Sequence, residues 1–223
     1  LTDNTNNLTK WQFPAGYSIA PNGYLVVYAS KKEVAKYGYP FVDDLGKLHT
    51  TFALSREGEC VALVRPDGVT IEHAHSNYPM QRGLVSYGIG ADSNTGYLTG
   101  VTIGAANTGT HAGVVDQPSF SVTRGFYETP FLVHLTCATP GAVIRYTIDT
   151  SEPTASTGII YNPSQPIAVA STTCLRAAAF KSGYLSSTIV THTYIFLNQV
   201  LVQATNPSTG EQVVPTGYPA IWP

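Results

Sequence analysis

The second half of the chain is divided into short apolar runs by proline and glycine, and this spacing restricts what it can fold into. The runs occupy residues 131–137, 143–149, 166–170, 173–180 and 189–197, with Pro140, Gly141, Pro153, Pro163 and Gly183 between them. Short strands at regular intervals with turn residues between them are typical of a β-sandwich. Neither 143–149 nor 173–180 carries a nucleophile beside a base or a cluster of metal ligands. The pattern therefore predicts a structural body more clearly than a chemistry.

The first half shows the same alternation of apolar runs and turns. Residues 65–68, Arg-Pro-Asp-Gly, predict a hairpin turn between 59–64 and 69–73, because proline presets one turn dihedral and glycine tolerates a positive φ. The run 24–29 is apolar enough to be buried on both faces. Residues 31–36, with Ser30 as N-cap, form the only passable helix start. We therefore predict an all-β fold of two tandem sandwiches.

The charge and the apolar pattern exclude two kinds of partner. The 223 residues have a net charge of −2, and Lys and Arg never cluster, so we expect no nucleic acid partner. No apolar run approaches the ~20 residues needed to cross a bilayer, so we expect no membrane insertion. The chain opens at Leu1 without a basic and apolar leader, and we expect any signal peptide to be already removed or to lie outside the chain.

A change of composition marks the expected domain boundary. Residues 91–117 are rich in Gly, Ala, Asn, Thr and Ser and poor in large apolar side chains, so they predict a linker. The expected domains are then 1–90 and 118–202. The remaining residues, 203–223, are rich in Pro, Thr and Gly and predict a tail that leads to a further module.

The second half resembles the immunoglobulin-like domain at the C-terminus of chitobiases and β-hexosaminidases. The matching residues are Pro140 to Ala142, Ile144 to Thr147, Asp149, Pro153, Thr154, Tyr161, Pro166, Ile167, Leu175 to Ala177, Phe180, Gly183 and Ser186. Thr150 stands where that family pattern usually has Gly. The resemblance implies an immunoglobulin-like sandwich.

The first half resembles a bacterial lamin-tail domain, which is also an immunoglobulin-like sandwich. The residues that carry this resemblance are Leu1 to Asp3, Trp11, Phe13, Pro14, Ile19 to Val27, Phe52 to Leu54, Val61 to Leu63, Asp67, Gly68, Tyr78, Pro79, Gln81 and Ser86 to Gly88. Family members begin with a further strand, so the opening strand is missing here. An unpaired edge would result, which predicts protein partners or neighbouring subunits that bind through open sheet edges.

The C-terminal residues resemble a junction found in large secreted surface proteins of planctomycete type. The run from Tyr194 to Phe196 and then Gly217 to Trp222 is similar to the segment that leads there into a spore-coat-type kinase. This resemblance implies a secreted or cell-surface location in a bacterium, with further domains on both sides of the chain.

Three cysteines leave at most one bridge inside the chain. Cys137 and Cys174 are the expected pair, and Cys60 is alone in the first half. If Leu175, Ala177 and Ala179 point inward, Cys174 points outward and cannot meet Cys137. Free, partly buried thiols are therefore the alternative to a disulfide.

Several side chains are weak candidates for a metal or a reaction. His73 and His75 are two residues apart on a predicted strand, where a third ligand could complete a divalent metal site; the alternative is two histidines at the rim of a core. Asp43, Asp44 and Asp92 offer oxygens to Ca²⁺ but fit equally well as turn caps. Asp149 and Glu152 could act as a carboxylate pair, yet the family resemblance marks them as part of a structural turn.

The tyrosines and the missing motifs complete the functional prediction. Tyr17, Tyr24, Tyr28, Tyr37, Tyr39, Tyr78 and Tyr87 suit either sheet packing or a surface for sugars or proteins. No phosphate loop, nucleophile elbow or dinucleotide motif occurs, so we expect no cofactor and no enzyme activity. We predict a non-catalytic spacer, scaffold or assembly segment. The alternatives are a carbohydrate-binding accessory region of a glycoside hydrolase, or the leader of a kinase domain beyond this chain.

Overall fold

The computed structural model describes residues 1–32 and 41–201, and these are built almost entirely from β-strands. The chain divides into two compact units, Leu1–Ala112 and Gly113–Pro223. The predicted all-β class is confirmed. Most of the predicted helix at 31–36 and all of the predicted tail at 203–223 lie outside the described residues.

The first unit contains eight described strands in three small sheets. They are β1 (Val27–Tyr28), β2 (Phe41–Val42), β3 (Leu48–His49), β4 (Val61–Val64), β5 (Ile71–His75), β6 (Ser86–Ile89), β7 (Thr95–Leu98) and β8 (Thr110–His111). The sheet orders are β1-β3-β2, β4-β5 and β6-β7-β8. Strands of two to five residues leave much of this unit in turns, in keeping with its many glycines and prolines.

The hairpin predicted around residues 65–68 is present. It joins β4 to β5, with the Gly68 amide donating to the Arg65 carbonyl over 3.0 Å. Gly68 has a φ of +74°, which a side chain would disfavour. The carboxylate of Asp67 accepts hydrogen bonds from the amides of Val69 and Thr70. Gly68 therefore acts through the mechanism expected of it, and Asp67 stabilises the same turn.

The core of the first unit is small and is centred on Trp11, Leu48 and Phe52. Leu25, Val27 and Ala29 pack against it, whereas the residues that alternate with them are exposed: Tyr24 by 55%, Val26 by 37% and Tyr28 by 39%. The prediction that 24–29 is buried on both faces is therefore wrong. The run faces the core on one side only, as alternation along an extended chain requires.

The stretch expected to be a linker is largely part of the first unit. Residues 95–98 and 110–111 form β7 and β8, and the boundary between the units lies after Ala112. The Asp92 carboxylate accepts hydrogen bonds from Asn94 and Thr110 and so fastens this segment across its own sheet. Polar cross-links of this kind, which composition does not reveal, hold a segment poor in large apolar residues.

The second unit contains the remaining strands and one short helix. They are β9 (Gly113–Val114), β10 (Ser119–Phe120), β11 (Gly125–Tyr127), β12 (Phe131–Val133), β13 (Leu135–Thr136), β14 (Val143–Thr147), β15 (Ile159–Ile160), β16 (Ile167–Val169), β17 (Thr173–Phe180), β18 (Tyr184–Leu185), β19 (Val190–Phe196) and α1 (Leu197–Leu201). The main sheet has the order β11-β19-β17-β14-β15, and the pairs β10-β13, β12-β16 and β9-β18 complete the unit.

The core of this unit receives side chains from both layers. Val133, Leu135 and Val169 come from the smaller strand pairs, and Leu175, Ala177, Ala179 and Tyr194 come from the five-stranded sheet; all belong to one buried cluster. Two β-layers with a shared apolar interior form a sandwich. Regular alternation along β17 supplies the small alanines that let the layers approach.

No helix in the described part of the chain is long and apolar enough to cross a membrane.

Candidate functional site

The two candidate histidines lie in β5, and their rings contact each other edge to face. The ring centroids of His73 and His75 are 5.0 Å apart at 86°, and His75 in turn lies 5.9 Å from the ring of Tyr87. Burial lowers the pKa of His75, and repulsion from His73 lowers it further. Within residues 1–32 and 41–201 no three His, Cys, Asp or Glu side chains are grouped closely enough to hold a metal ion.

Two of the three candidate calcium ligands accept hydrogen bonds from groups of their own turns. Oδ1 of Asp43 accepts hydrogen bonds from the amides of Leu45 and Lys47, which lower the pKa of this carboxyl. Hydrogen bonds from Asn94 and Thr110 lower the pKa of Asp92 to about 2. Asp44 is adjacent to Asp43 in sequence but belongs to no group of ligands among the described residues. The carboxylates of Asp43 and Asp92 accept amide hydrogen bonds in their turns, one of the two interpretations open from the sequence.

Asp149 and Glu152 point to different partners. Oδ1 of Asp149 accepts from the amide and hydroxyl of Ser151, and this lowers the pKa of its carboxyl. Oε1 of Glu152 pairs with Nη2 of Arg176 at 2.8 Å. The two carboxylates are thus bound to the turn and to β17, respectively, which is a structural arrangement.

The expected disulfide between Cys137 and Cys174 is not formed. All three cysteines are free thiols. Cys137 donates its S–H to the carbonyl of Asp116 at 3.2 Å. Cys174 alternates with Leu175, which is fully buried, so its side chain lies on the other face of β17. The bridge was wrong because strand alternation separates the two sulfurs.

Sequence reasoning missed a hydrogen-bonded chain of Ser30, His49 and Asp43. The Ser30 hydroxyl lies 2.8 Å from Nδ1 of His49, and Nε2 of His49 lies 3.2 Å from Oδ2 of Asp43. The three residues are separated in sequence by 6 to 19 positions and meet because β3 pairs with β1 and β2. No short motif precedes the contact, so only the fold could reveal it.

These three residue types are those of a serine hydrolase triad, but the surroundings of Ser30 differ from those of a catalytic serine. An oxyanion hole needs amide donors free to meet the developing charge near the serine. The amides of Lys31 and Lys32, which follow Ser30, already donate to the carbonyls of Phe52 and Thr50 at 3.0 Å each. The hydrogen bonds of Ser30, His49 and Asp43 join the end of β1 to β3 and to the turn after β2. We call these three residues the Ser30 clip.

A cleft opens between the loop at 54–56, the β4-β5 hairpin and β6. Its volume is about 340 Å³. The apolar and aromatic surface comes from Leu54, Val61, His75, Tyr78 and Tyr87, and Arg56 and Gln81 add polar groups. We call it the Tyr87 cleft. Of its residues, sequence reasoning had named His75 for a metal and the two tyrosines for a sugar or protein surface, without joining them.

The Tyr78 hydroxyl fixes one wall of the Tyr87 cleft. It lies 2.9 Å from the carbonyl of Ser55 and 3.1 Å from Oε1 of Glu59, to both of which it can donate. Burial, together with the negative charge of Glu59, raises the pKa of Tyr78 to about 12. The phenol therefore stays protonated over the physiological range and holds the loop at 55 against β4.

One part of the chain matches a protein-family model. Residues 122–191 match the family model of the chitobiase/β-hexosaminidase C-terminal domain. This immunoglobulin-like domain is a non-catalytic accessory domain associated with glycoside hydrolases. The matched segment covers β11 to β18 and the start of β19, and thus most of the sandwich of the second unit.

The chitobiase C-terminal match does not extend into the first unit. The expected likeness of residues 1–90 to a lamin-tail domain therefore stays a prediction. Searches among curated proteins and among solved structures each found no match. The Tyr87 cleft and the Ser30 clip both lie outside the matched residues.

Proposed function

We propose that this chain is a non-catalytic structural and interaction segment of a large secreted or cell-surface bacterial protein, in which its units act as spacer, scaffold or assembly modules. The observation that carries the proposal is the use of the carboxylates. Three of the candidate carboxylates accept hydrogen bonds from donors in their own turns or in neighbouring strands: Asp43, Asp92 and Asp149. Groups committed in this way stabilise loops and are poor acids or bases for a substrate.

The family match supports the same role for the second unit. Its matched domain is an accessory domain, and the turn around Asp149 joins β14 to β17 through a backbone bridge between Asp149 and Cys174. A lamin-tail identity for residues 1–90 would place a second module of the same immunoglobulin-like kind before it. Tandem modules of this kind space and display the domains that flank them.

An open sheet edge supports contact with protein partners. Among the described strands, β15 is at one edge of the main sheet, with Ile159 and Ile160 exposed by 52% and 57%. An edge with unpaired backbone groups and apolar side chains is a template for another strand. A neighbouring subunit or partner protein would add there.

The decisive experiment is activity labelling of the full chain. A fluorophosphonate probe reacts with activated serines, and the clip makes Ser30 the residue to watch. We expect no labelling of Ser30 and no hydrolysis of nitrophenyl N-acetyl-β-glucosaminide. Labelling that is lost in both Ser30→Ala and His49→Ala, or turnover by the wild-type chain, would refute the non-catalytic role.

Assembly is tested separately by light scattering after size exclusion. If copies of the chain associate through β15, the average molecular mass should rise with protein concentration, and Ile159→Lys should reduce this rise. Leu132→Lys, at an exposed position in β12, should leave it unchanged. An equal response of both variants would remove the edge from the proposal.

A carbohydrate-binding accessory role is the second candidate. It is favoured by the Tyr87 cleft, whose aromatic and polar lining suits a sugar ring, and by the association of the matched domain with glycoside hydrolases. Sugar binding by the isolated chain, without hydrolysis, would distinguish this role from a purely structural one.

A further inference from the structure

Two hydrogen bonds between Arg56 and Gln81 hold the lining of the Tyr87 cleft in place. The Arg56 carbonyl accepts the amide of Gln81 at 2.7 Å, and the Arg56 Nε–H donates to the carbonyl of Gln81 at 3.4 Å. These bonds join the loop at 56 to the segment at 81, both of which line the cleft. The lining is therefore positioned before any ligand arrives, which lowers the entropic cost of binding.

The ring of Tyr87 is also held in place by its neighbours. It lies 5.9 Å from the ring of His75 at 67° and 5.3 Å from the ring of Tyr97 at 75°, so it makes edge-to-face contacts with two neighbouring rings. Tyr97 is fixed in turn by a hydrogen bond from its hydroxyl to the carbonyl of Met80. A clamped aromatic ring offers a rigid flat surface to a ligand.

The polar groups of the cleft are available to a ligand. In the part of the chain that the structure describes, the Tyr87 hydroxyl, both His75 nitrogens and the terminal amino groups of Arg56 have no protein partner. Gln81 donates its Nε2 to the Pro79 carbonyl and leaves Oε1 open. A neutral imidazole offers one donor and one acceptor. The cleft thus presents donors, acceptors and one fixed positive charge around an aromatic face.

From this arrangement we infer that the Tyr87 cleft binds a pyranose ring that carries a carboxylate, as in the uronic acid units of acidic polysaccharides. The C–H face of the sugar ring lies on Tyr87. The sugar hydroxyls, which both donate and accept hydrogen bonds, bond to the ring nitrogens of His75 and to Oε1 of Gln81. The carboxylate bonds to the guanidinium of Arg56. A volume of about 340 Å³ is at the small end of ligand sites and suits one or two rings.

The inference goes beyond the structural role proposed above and does not depend on it. A chain that binds no sugar could still be a non-catalytic segment, and the labelling and hydrolysis experiments decide that point independently.

Titration of the full chain with galacturonate oligomers of two or three units tests the inference. Neutral galactose oligomers of the same length serve as the comparison, and binding is followed by calorimetry and by amide chemical shifts. We expect a dissociation constant of about 0.1–1 mM for the acidic oligomer and at least tenfold weaker binding of the neutral one.

Variants separate the aromatic from the ionic contribution. Arg56→Gln should weaken the acidic oligomer about tenfold and leave the neutral one unchanged, while Tyr87→Ala should weaken both by tenfold or more. Tyr87→Phe keeps the ring and the packing in β6, and should lose only a few-fold. Arg124→Gln and Tyr24→Ala, at exposed positions outside the cleft, are the matched controls and should bind as the wild type.

Three results would overturn the inference. They are no binding of the acidic oligomer at 10 mM, equal binding of acidic and neutral oligomers, and equal behaviour of Arg56→Gln and Arg124→Gln. Thermal melts of every variant show that it is folded, and Tyr87→Phe keeps the test valid if Tyr87→Ala does not fold.

Discussion

Arg176 holds the backbone of Thr150: its Nη1 donates to the Thr150 carbonyl at 2.7 Å. Nη2 of the same guanidinium pairs with Glu152, so one side chain of β17 fixes both sides of the turn after β14. In this turn Thr150 adopts a φ of +69°, in the left-handed region. A β-branched residue is strained there, whereas glycine adopts this φ without a steric cost.

Thr150→Gly should therefore stabilise the second unit. Glycine adopts a positive φ without the steric cost, and the carbonyl that Arg176 binds belongs to the backbone and is retained. The gain is reduced by the extra freedom of glycine in the unfolded chain, and we expect a net increase of about 0.5–1 kcal/mol in the free energy of unfolding. Urea denaturation measures it.

Thr123→Gly is the matched control, since Thr123 is exposed and is not among the residues with positive φ. It should destabilise the protein by about 0.5–1 kcal/mol. If both glycine variants shift the midpoint in the same direction, the strain at Thr150 does not explain the effect.

Asp92 makes the stability of the first unit depend on pH in the acid range. Its pKa is lowered from an ordinary 3.8 to about 2, first by the hydrogen bond from Asn94 and then by the one from Thr110. The stabilisation is complete above pH 3.8 and is lost as the pH falls towards 2. Asp92→Asn should flatten the fall of the urea midpoint over this interval.

Thr110→Val tests the cause of the Asp92 shift. It removes a hydroxyl that donates to Oδ2 of Asp92 over 2.9 Å, so the pKa of Asp92 should rise part of the way towards 3.8. The carboxyl resonance of Asp92, followed by NMR as a function of pH, measures it. An unchanged pKa in Thr110→Val would contradict the assignment.

His75 should titrate below its ordinary pKa of 6.5. Burial favours the neutral ring, and the neighbouring His73 adds a smaller repulsion. Because the unfolded chain takes up this proton more readily, His75 makes the folded state less favourable as the pH falls below 6.5.

Ring titration by NMR measures the pKa of His75 in the wild type and in His73→Ala. The variant should recover only the smaller part of the shift, since burial is the larger cause. Full recovery would show that charge repulsion, and not burial, dominates.

The interior of the second unit is tested by a pair of leucines. Leu175 is fully buried in β17, whereas Leu132 in β12 is 53% exposed. Leu175→Ala should cost about 2–5 kcal/mol through lost burial and a residual cavity. Leu132→Ala should change stability by no more than about 0.5 kcal/mol. Similar losses in both variants would contradict the two-layer packing.

The cysteines give a chemical test of the fold. We expect three thiols per chain to react with a disulfide reagent in denaturant without prior reduction, since all three cysteines are free. A value of one thiol that rises to three after reduction would show a bridge and contradict the orientation of Cys174 on β17. Mass spectrometry after alkylation identifies the residues.

The sequence predicted best where local chemistry decides the backbone. Pro66 and Gly68 marked a hairpin turn, and the apolar run at 173–180 coincides with β17. Prediction from the sequence failed where the structure depends on pairing between segments that are far apart in the chain. Residues 91–117 lack large apolar side chains, yet 95–98 and 110–111 join a sheet with β6 and are fastened by Asp92.

The candidate site shows the same division. His75, Tyr78 and Tyr87 were each noticed in the sequence, but as a metal ligand or as scattered aromatic residues. Arg56 carried no signal and Gln81 entered only through the family resemblance, because an exposed arginine and a loop glutamine occur throughout protein surfaces. Only their position on one cleft gives them a common role.

The amino-acid sequence by itself determined the all-β class, the turn at 65–68 and the positions of β14, β17 and β19, because alternation and turn residues act over a few positions. Tertiary structure alone decided that Ser30 meets His49, that Cys174 faces away from Cys137 and that Tyr87 lines a cleft with Arg56. Those outcomes depend on which strands pair and in which register, and pairing joins residues that are far apart along the chain.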